Sequence, residues 1–474
     1  MSSASNAPVP SGPGDERPVT SALVTSRNPA TGAVVAETPS SAPAEVADIV
    51  LRAKAAFGRW SRLPGQERAR VLVRFADLVE RHRGRLAETI VAEMGKLRAE
   101  AEGEVEWTAV SARWYADNPP ATEHSGRAAV VRRPLGVVAA ITPWNAPLIT
   151  PAWKWLPALA AGNSVVWKPS ELSTGIALAT SELWREAGLP DGVLGLVVGG
   201  ADTGRELCMQ ASVDVVHFTG STETGRTVAG LAAERSARCV LELGGLNSAI
   251  VFADADLELA VDCIVSAATA VNGQKCTCAR RVLVERPLEG ELLAALKTRI
   301  EALHLGDPAD PTTTLGPLIT PGARARAEAE VERAVGAGAE VVARAPALDK
   351  PELDEAAFFP ATLVRGLQVN DPLRHRELFA PVLTVESFDR DDEAWEIAND
   401  TPYGLAAAVY TPSAARIEAA QERLEVGVLA VNQRCDSAEL EAPFGGAKCS
   451  GNGFPEGGSY AYSGVTMLKA VYGS

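Results

Sequence analysis

Residues 214–225 read Asp-Val-Val-His-Phe-Thr-Gly-Ser-Thr-Glu-Thr-Gly, and this stretch decides the fold class. A short apolar run ends in a Gly/Ser/Thr turn, and a helical pattern begins at about Thr222. Strand, tight turn and helix in immediate succession form the repeating unit of a parallel sheet with crossover helices. The free N–H groups at such a helix start attract anions, and Gly220 and Gly225 let the backbone approach or pack closely. A dinucleotide pyrophosphate is a natural occupant, although the GxGxxG spacing is absent. The same residues also fit a plain β-turn-α connection whose glycines serve only packing.

The pattern extends in both directions. Short β-rich runs at Val137 to Ile141, Ser164 to Trp167, Leu194 to Val198, Val213 to Phe218 and Cys239 to Leu243 alternate with helix-like stretches. A second series begins at Ser248 to Phe252. It continues through a helix from about Asp256 to Val271, a strand from Arg281 to Glu285 and a helix near Glu289 to Leu303. Upstream, Ala44 to Gly58 and about Gln66 to Gly95 carry apolar residues at helical spacing among Arg and Glu, as surface helices covering a sheet do. No repeat of 20–50 residues appears, which argues against a solenoid. The expected class is α/β, with two or more domains in 474 residues.

Composition narrows the function. A formal charge of −15 argues against general affinity for nucleic acid, which needs clustered Lys and Arg. No apolar run approaches the roughly 20 residues of a membrane helix, and residues 1–20 read as a mobile tail with no signal-peptide core. A cytoplasmic protein is expected. The seven cysteines are odd in number, which suggests reduced thiols. With five histidines in the chain and none near the Cys276/Cys278 pair, no metal site is expected.

Four further segments could carry chemistry. Strand Ser164 to Trp167 stops abruptly at Lys168 and Pro169, and Lys168 with Glu171 could hold the two sides of a ribose diol at a strand's carboxyl end; a solvated strand end fits equally. Glu242 lies inside the apolar run Leu241-Glu-Leu-Gly-Gly245, where burial should raise its pKa toward that of a general base, unless it sits in a buried ion pair. Cys276 occupies a tight connection in Asn272-Gly-Gln-Lys-Cys-Thr-Cys278, where Lys275 and Arg280 could favour the thiolate; an inert buried thiol is the alternative. Asn145, between prolines in Thr142-Pro-Trp-Asn-Ala-Pro147, could donate to an oxyanion worth roughly 3 kcal/mol, or could be an ordinary turn residue.

Together, in this order and from about Ser26 to Val471, these segments resemble the aldehyde dehydrogenase superfamily. Glu242 and Cys276 stand at what looks like the family's spacing between general base and nucleophile. The resemblance implies an oxyanion hole from Asn145 and the Cys276 N–H. It implies cofactor contacts from Thr142, Pro143, Trp144, Lys168, Ser170, Glu171, Gly200, Gly204, Gly220, Ser221, Thr222, Gly225, Leu243, Glu377 and Phe379. Pro443-Phe-Gly-Gly-Ala-Lys448 is similar to another family signature. Departures are Leu246, where Lys is common, Ala380, where Gly is usual, and Ala146, where a bulky aromatic often stands. Ala146 implies a wider substrate tunnel, lined by Ile149, Trp153 and Phe444. Arg434, at the tunnel mouth, could hold the carboxylate of a semialdehyde, or could be a solvated loop arginine.

The implied reaction is oxidation of an aldehyde to an acid through a thiohemiacetal and thioester on Cys276, with NAD or NADP as hydride acceptor. Glu242 favours hydrolysis over transfer to coenzyme A, and Glu171 favours NAD, since it should repel a 2′-phosphate. The implied organisation is a dinucleotide-binding domain (21–121 and 135–244), a catalytic domain (245–447) and oligomerisation segments (122–134 and 458–474) of a homodimer or homotetramer. Glu123 to Arg133 reads as an exposed edge strand. A non-catalytic binding protein on the same fold and a Cys-dependent esterase are the rival readings. The presence of Cys276, Glu242 and Asn145 speaks against the first, and the cofactor contacts against the second.

Overall fold

A computed structural model describes residues 22–348 and 357–473; the expected tail at 1–20 lies outside the described residues. Two parallel sheets dominate. The first has five strands in the order Leu194–Leu196, Ser164–Lys168, Val137–Ile141, Val215–Thr219, Arg238–Glu242, all parallel. Val137–Ile141 and Ser164–Lys168 are buried at every position, as strands covered on both faces must be. On one face, Val46, Ile49 and Val50 of helix Pro43–Trp60 pack against Val137, Ala139 and Val166. On the other, helices Gly65–Arg81, Arg98–Asp117 and Ile149–Ala161 share a core with Val138, Val165 and Trp167.

The stretch from Gln66 to Gly95 is two helices, Gly65–Arg81 and Arg83–Met94, separated by His82 at φ −100° and ψ 15°. Phe75 anchors the first, its ring stacked 3.7 Å from Trp184 and edge-on to Trp155 at 5.5 Å. Losing such a ring from a core costs about 3–5 kcal/mol.

The second sheet has seven strands in the order Glu340–Arg344, Thr362–Arg365, Val382–Phe388, Ala279–Glu285, Asn247–Val251, Ala406–Tyr410, Val428–Val431. Only the outermost strand, Glu340–Arg344, runs antiparallel. Helix Leu257–Thr269 begins at Asp256, whose side chain accepts from the Leu259 N–H. It ends two residues earlier than its periodicity suggests, because Val271 and Asn272 take φ of +51° and +57°, values that no helix accommodates.

A third sheet is antiparallel, in the order Thr466–Tyr472, Ala128–Pro134, Glu123–Ser125. It corrects the reading of 123–133 as one exposed edge strand: the segment is a hairpin, and Ala128–Pro134 is paired on both sides. The C-terminal strand takes the edge and exposes Met467, Leu468 and Tyr472. Among the described residues no helix is long and apolar enough to cross a membrane.

Candidate active site

In the five-stranded sheet the first strand in sequence, Val137–Ile141, lies between the second and the fourth, so the chain reverses its direction of travel there. Crevices at the carboxyl ends of strands beside such a switch point are where open α/β sheets bind ligands. Thr142 and Gly220 leave the two strands flanking it. Ser221 caps helix Thr222–Ala233 by accepting from the Thr224 N–H at 3.3 Å, so further N–H groups of the first turn face outward. A Cβ on Gly225 would lie 2.5 Å from Leu243 Cδ2, so glycine is what lets this helix start seat against the sheet. Lys168 is buried, its pKa lowered by burial against the pull of Glu171, and its Nζ donates to Pro169 O at 2.9 Å. Glu171 is exposed. Gly204 lies over Lys168, with room for 3.5 Å between a Cβ and Lys168 Cδ, and Gly200 precedes helix Ala201–Met209. Ser170 caps the short turn at Glu171. Trp144 meets Phe379 edge-on at 5.7 Å.

A cavity of about 460 Å³ opens beside this crevice and is lined by Asn145, Glu242, Leu243 and Cys276 together. Ile149, Trp153, Phe444 and Arg434 also line it, as does Ala146, so the residues expected along a tunnel do share one space. Trp153 and Phe444 meet at 5.5 Å.

Cys276 is held by its own connection. Asn272, in the left-handed region, donates to Gly95 O and Pro317 O and accepts from the Gly316 N–H. Asn247 donates to both Cys276 O and Cys278 O at 2.8 Å, and its Oδ1 accepts from the Ala406 N–H. Asn145 Nδ2 donates to Gln274 O at 2.9 Å, which places its amide against the same loop.

The expectation that Lys275 and Arg280 lower the Cys276 pKa is not met. Burial pushes the thiol up to about 12, the nearby Glu377 adds to this, and Lys275 opposes it only in part. Desolvation outweighs the cations, which are also engaged elsewhere. Lys275 pairs with Asp436 at 3.0 Å, and Arg280 donates to three backbone carbonyls. Cys278, by contrast, is fully buried, its thiol on Ala270 O.

Glu242 is 4% exposed, and its Oε2 has no hydrogen-bond partner among the described residues. Burial raises its pKa well above the usual carboxylate range, and the neighbouring Glu456 pushes the same way. Glu456 stays ionised because Lys154 pairs with it and His217 Nε2 lies 2.8 Å away. Glu377 is raised to about 7 by burial, against Arg280, and its Oε1 is a buried acceptor without a donor. A ribose hydroxyl is the kind of group that would satisfy it, so the crevice suits a dinucleotide in shape and in unfilled valence.

Sequence reasoning passed over Asn247, Glu456, Asp436 and Glu100. Glu100 accepts from the Val271 N–H at 2.7 Å and so braces the backbone ahead of Cys276. The one available signal was a polar residue within an apolar run, as for Asn247 before Ser248 to Phe252. Arg434 is neither free nor merely solvated: it makes a two-bond pair with Asp436, both bonds 2.8 Å.

A parallel-sheet crevice shaped for a dinucleotide, beside a cavity holding one thiol and one unpartnered carboxyl, defines a nicotinamide-dependent oxidoreductase of the covalent type. The chain belongs to the aldehyde dehydrogenase family, which it matches over residues 18–471. It is 37% identical over 436 residues to a betaine aldehyde dehydrogenase of Bacillus subtilis, covering 89% of this chain and 88% of that one. It is 38% identical to a mitochondrial succinate-semialdehyde dehydrogenase of Arabidopsis thaliana, covering 94% and 85%. Among solved structures, betaine aldehyde dehydrogenase from Staphylococcus aureus in complex with NAD+ superposes with a TM-score of 0.91 at 31% identity, covering 96% and 92%. The protein is therefore an NAD(P)-dependent aldehyde dehydrogenase, and the α/β class expected from sequence holds.

Proposed function

We propose that Cys276 is the nucleophile, Glu242 the general base and Asn145 the oxyanion donor of this oxidation. The observation that carries the assignment is their convergence on one cavity, 131 positions apart in sequence. Desolvation raises the pKa of the part-buried Cys276, which favours the thiol, so a base must take its proton as it attacks, and Glu242, with a raised pKa and a free Oε2, suits that task. The sulfur bonds to the aldehyde carbon, and the carbonyl oxygen becomes an oxyanion. The second N–H of Asn145 and the Cys276 N–H stabilise it. A dinucleotide held in the crevice would supply the acceptor for the hydride of this carbon. Cys276 then carries a thioester; Glu242, once it has passed the thiol proton to solvent, takes a proton from water, whose oxygen displaces the sulfur and releases the acid. Thr142, Pro143, Trp144, Lys168, Ser170, Glu171, Gly200, Gly204, Gly220, Ser221, Thr222, Gly225, Leu243, Glu377 and Phe379 would form the cofactor site.

The test is NADH production at 340 nm with Cys276→Ser and Glu242→Gln. The first variant should lose activity. The second should slow both the single-turnover burst and steady-state turnover. Wild-type turnover in Cys276→Ser would refute the assignment.

The finer reading is an NAD-preferring enzyme acting on a semialdehyde. The exposed Glu171 beside Lys168 supports NAD. For the substrate, the support is that Lys275 and Arg434 share the single carboxylate of Asp436 on the cavity wall. Glu100 nearby has its pKa raised by burial, against the pull of Lys96 and Lys275. Arg434→Ala should then raise KM for carboxylated aldehydes and not for neutral ones; equal KM changes would refute it. We also assign the chain to the cytoplasm as a homodimer or homotetramer joined through its exposed C-terminal strand, with domains at 21–121 with 135–244 and at 245–447, and linking segments at 122–134 and 458–474. Light scattering reads the oligomeric state.

A further inference from the structure

Arg280 is the second residue of strand Ala279–Glu285 and is 3% exposed. Its guanidinium has no carboxylate partner among the ion pairs of the described residues and is spent on backbone carbonyls of two separate loops. Nη2 donates to Gly273 O at 2.5 Å and to Lys275 O at 3.4 Å, both in the loop that presents Cys276. Nη1 donates to Ala380 O at 2.6 Å, next to Phe379, which is itself in the left-handed region at φ +55°. The two loops touch directly as well. A Cβ on Gly273 would fall 2.3 Å from Pro381 N and 2.6 Å from Ala380 C, so backbone lies on backbone with one guanidinium stitching the seam. Two atoms here are unsatisfied, Arg280 Nε and Glu377 Oε1, each buried without a hydrogen-bond partner among the described residues. They are a donor and an acceptor of opposite charge, and Arg280 acts electrostatically on Glu377.

We propose that Arg280 is a positioning residue that couples the cofactor loop 377–381 to the nucleophile loop 273–276, so that filling the cofactor site resets the position of Cys276. A buried guanidinium with a spare donor, within electrostatic reach of a carboxylate with a spare acceptor, allows this seam two arrangements. In one, Glu377 is engaged by ligand and Arg280 holds only carbonyls. In the other, Glu377 turns to Arg280 Nε, and the shared bonds to Gly273 O and Lys275 O shift with it. The inference rests on the assignment of Cys276 and Glu377 above.

The experiment measures the second-order rate of Cys276 alkylation by iodoacetamide, with and without saturating NAD, in wild type, Arg280→Lys and Arg280→Met. NAD binding is followed separately by calorimetry. In wild type NAD should change the rate several-fold. In Arg280→Met the ratio should fall to about one while NAD still binds and Cys276 still reacts, and Arg280→Lys, which can keep one carbonyl bond, should recover part of it. An unchanged ratio in both variants overturns the coupling, and so does a wild-type rate that ignores NAD, a result that does not depend on the variants folding. Failure of the underlying assignment would look different: NAD would not bind, or alkylation would not fall on Cys276.

Discussion

Replacing Asn247 with Ala removes one buried side chain that satisfies three backbone groups. Its amide donates to Cys276 O and Cys278 O, each at 2.8 Å, and its Oδ1 accepts from the Ala406 N–H at 3.0 Å. The residue is 2% exposed, so water cannot take over without local opening. An unsatisfied buried backbone group costs about 1–3 kcal/mol; with some relaxation the three together should cost about 4 kcal/mol, seen as a Tm lower by roughly 4–10 °C. The catalytic effect should exceed the stability effect in consequence. With Cys276 O released, the sulfur loses its fixed approach, and displacement of a reacting group by about 1 Å costs roughly 10²-fold in rate. The assay pairs thermal unfolding with steady-state kinetics: kcat should fall by roughly 10²-fold while the Kd for NAD barely moves. Wild-type Tm and kcat in Asn247→Ala would refute the idea that this amide fixes the nucleophile loop.

Other outcomes follow from the same site. Alkylation of Cys276 in the cofactor-free enzyme should rise about tenfold per pH unit from pH 7 to 10 without levelling, since burial holds the thiol near 12; a plateau by pH 8 would refute this. Gly445→Ala would set a Cβ 3.0 Å from Glu242 Oε1 and 3.3 Å from Pro455 Cα. By displacing that carboxyl it should slow both the first-turnover burst and thioester hydrolysis, which rapid-mixing kinetics would reveal. His217 is lowered to about 4 by burial, with Lys154 acting in the same direction. Its contribution to stability is complete above pH 6.5 and is lost as pH falls toward 4, because the unfolded chain binds a proton there that the folded one does not. The loss should reach roughly 3 kcal/mol. In His217→Gln, acid denaturation followed by fluorescence should show a flatter slope across that window.

Much of the fold was legible because parallel strands buried on both faces leave uninterrupted apolar runs, as at Val137–Ile141 and Ser164–Lys168, and because a glycine-bearing turn marks the passage into a helix at Gly220. The site was legible where chemistry demands an improbable residue in an apolar setting, as with Glu242. Burial of that carboxyl was foreseeable from its neighbours, and so was its raised pKa. The state of Cys276 was not. Lys275 and Arg280 adjoin it in sequence, yet their charge is directed elsewhere, to Asp436 and to the carbonyls of Gly273 and Ala380.

The α/β class and the strand-turn-helix unit were readable from residue types within a few positions, and so was the choice of the thiol, carboxyl and amide proposed for the chemistry. Only the tertiary structure decided what surrounds them: Asn247 clamping two carbonyls, Glu456 beside Glu242, Arg434 bound to Asp436, and Arg280 joining two loops. Desolvation and hydrogen bonding act over a few ångströms in space, and partners 29 to 214 positions apart in the chain, such as Asn247 with Cys276 and Glu242 with Glu456, become neighbours only when strands pair and the chain folds.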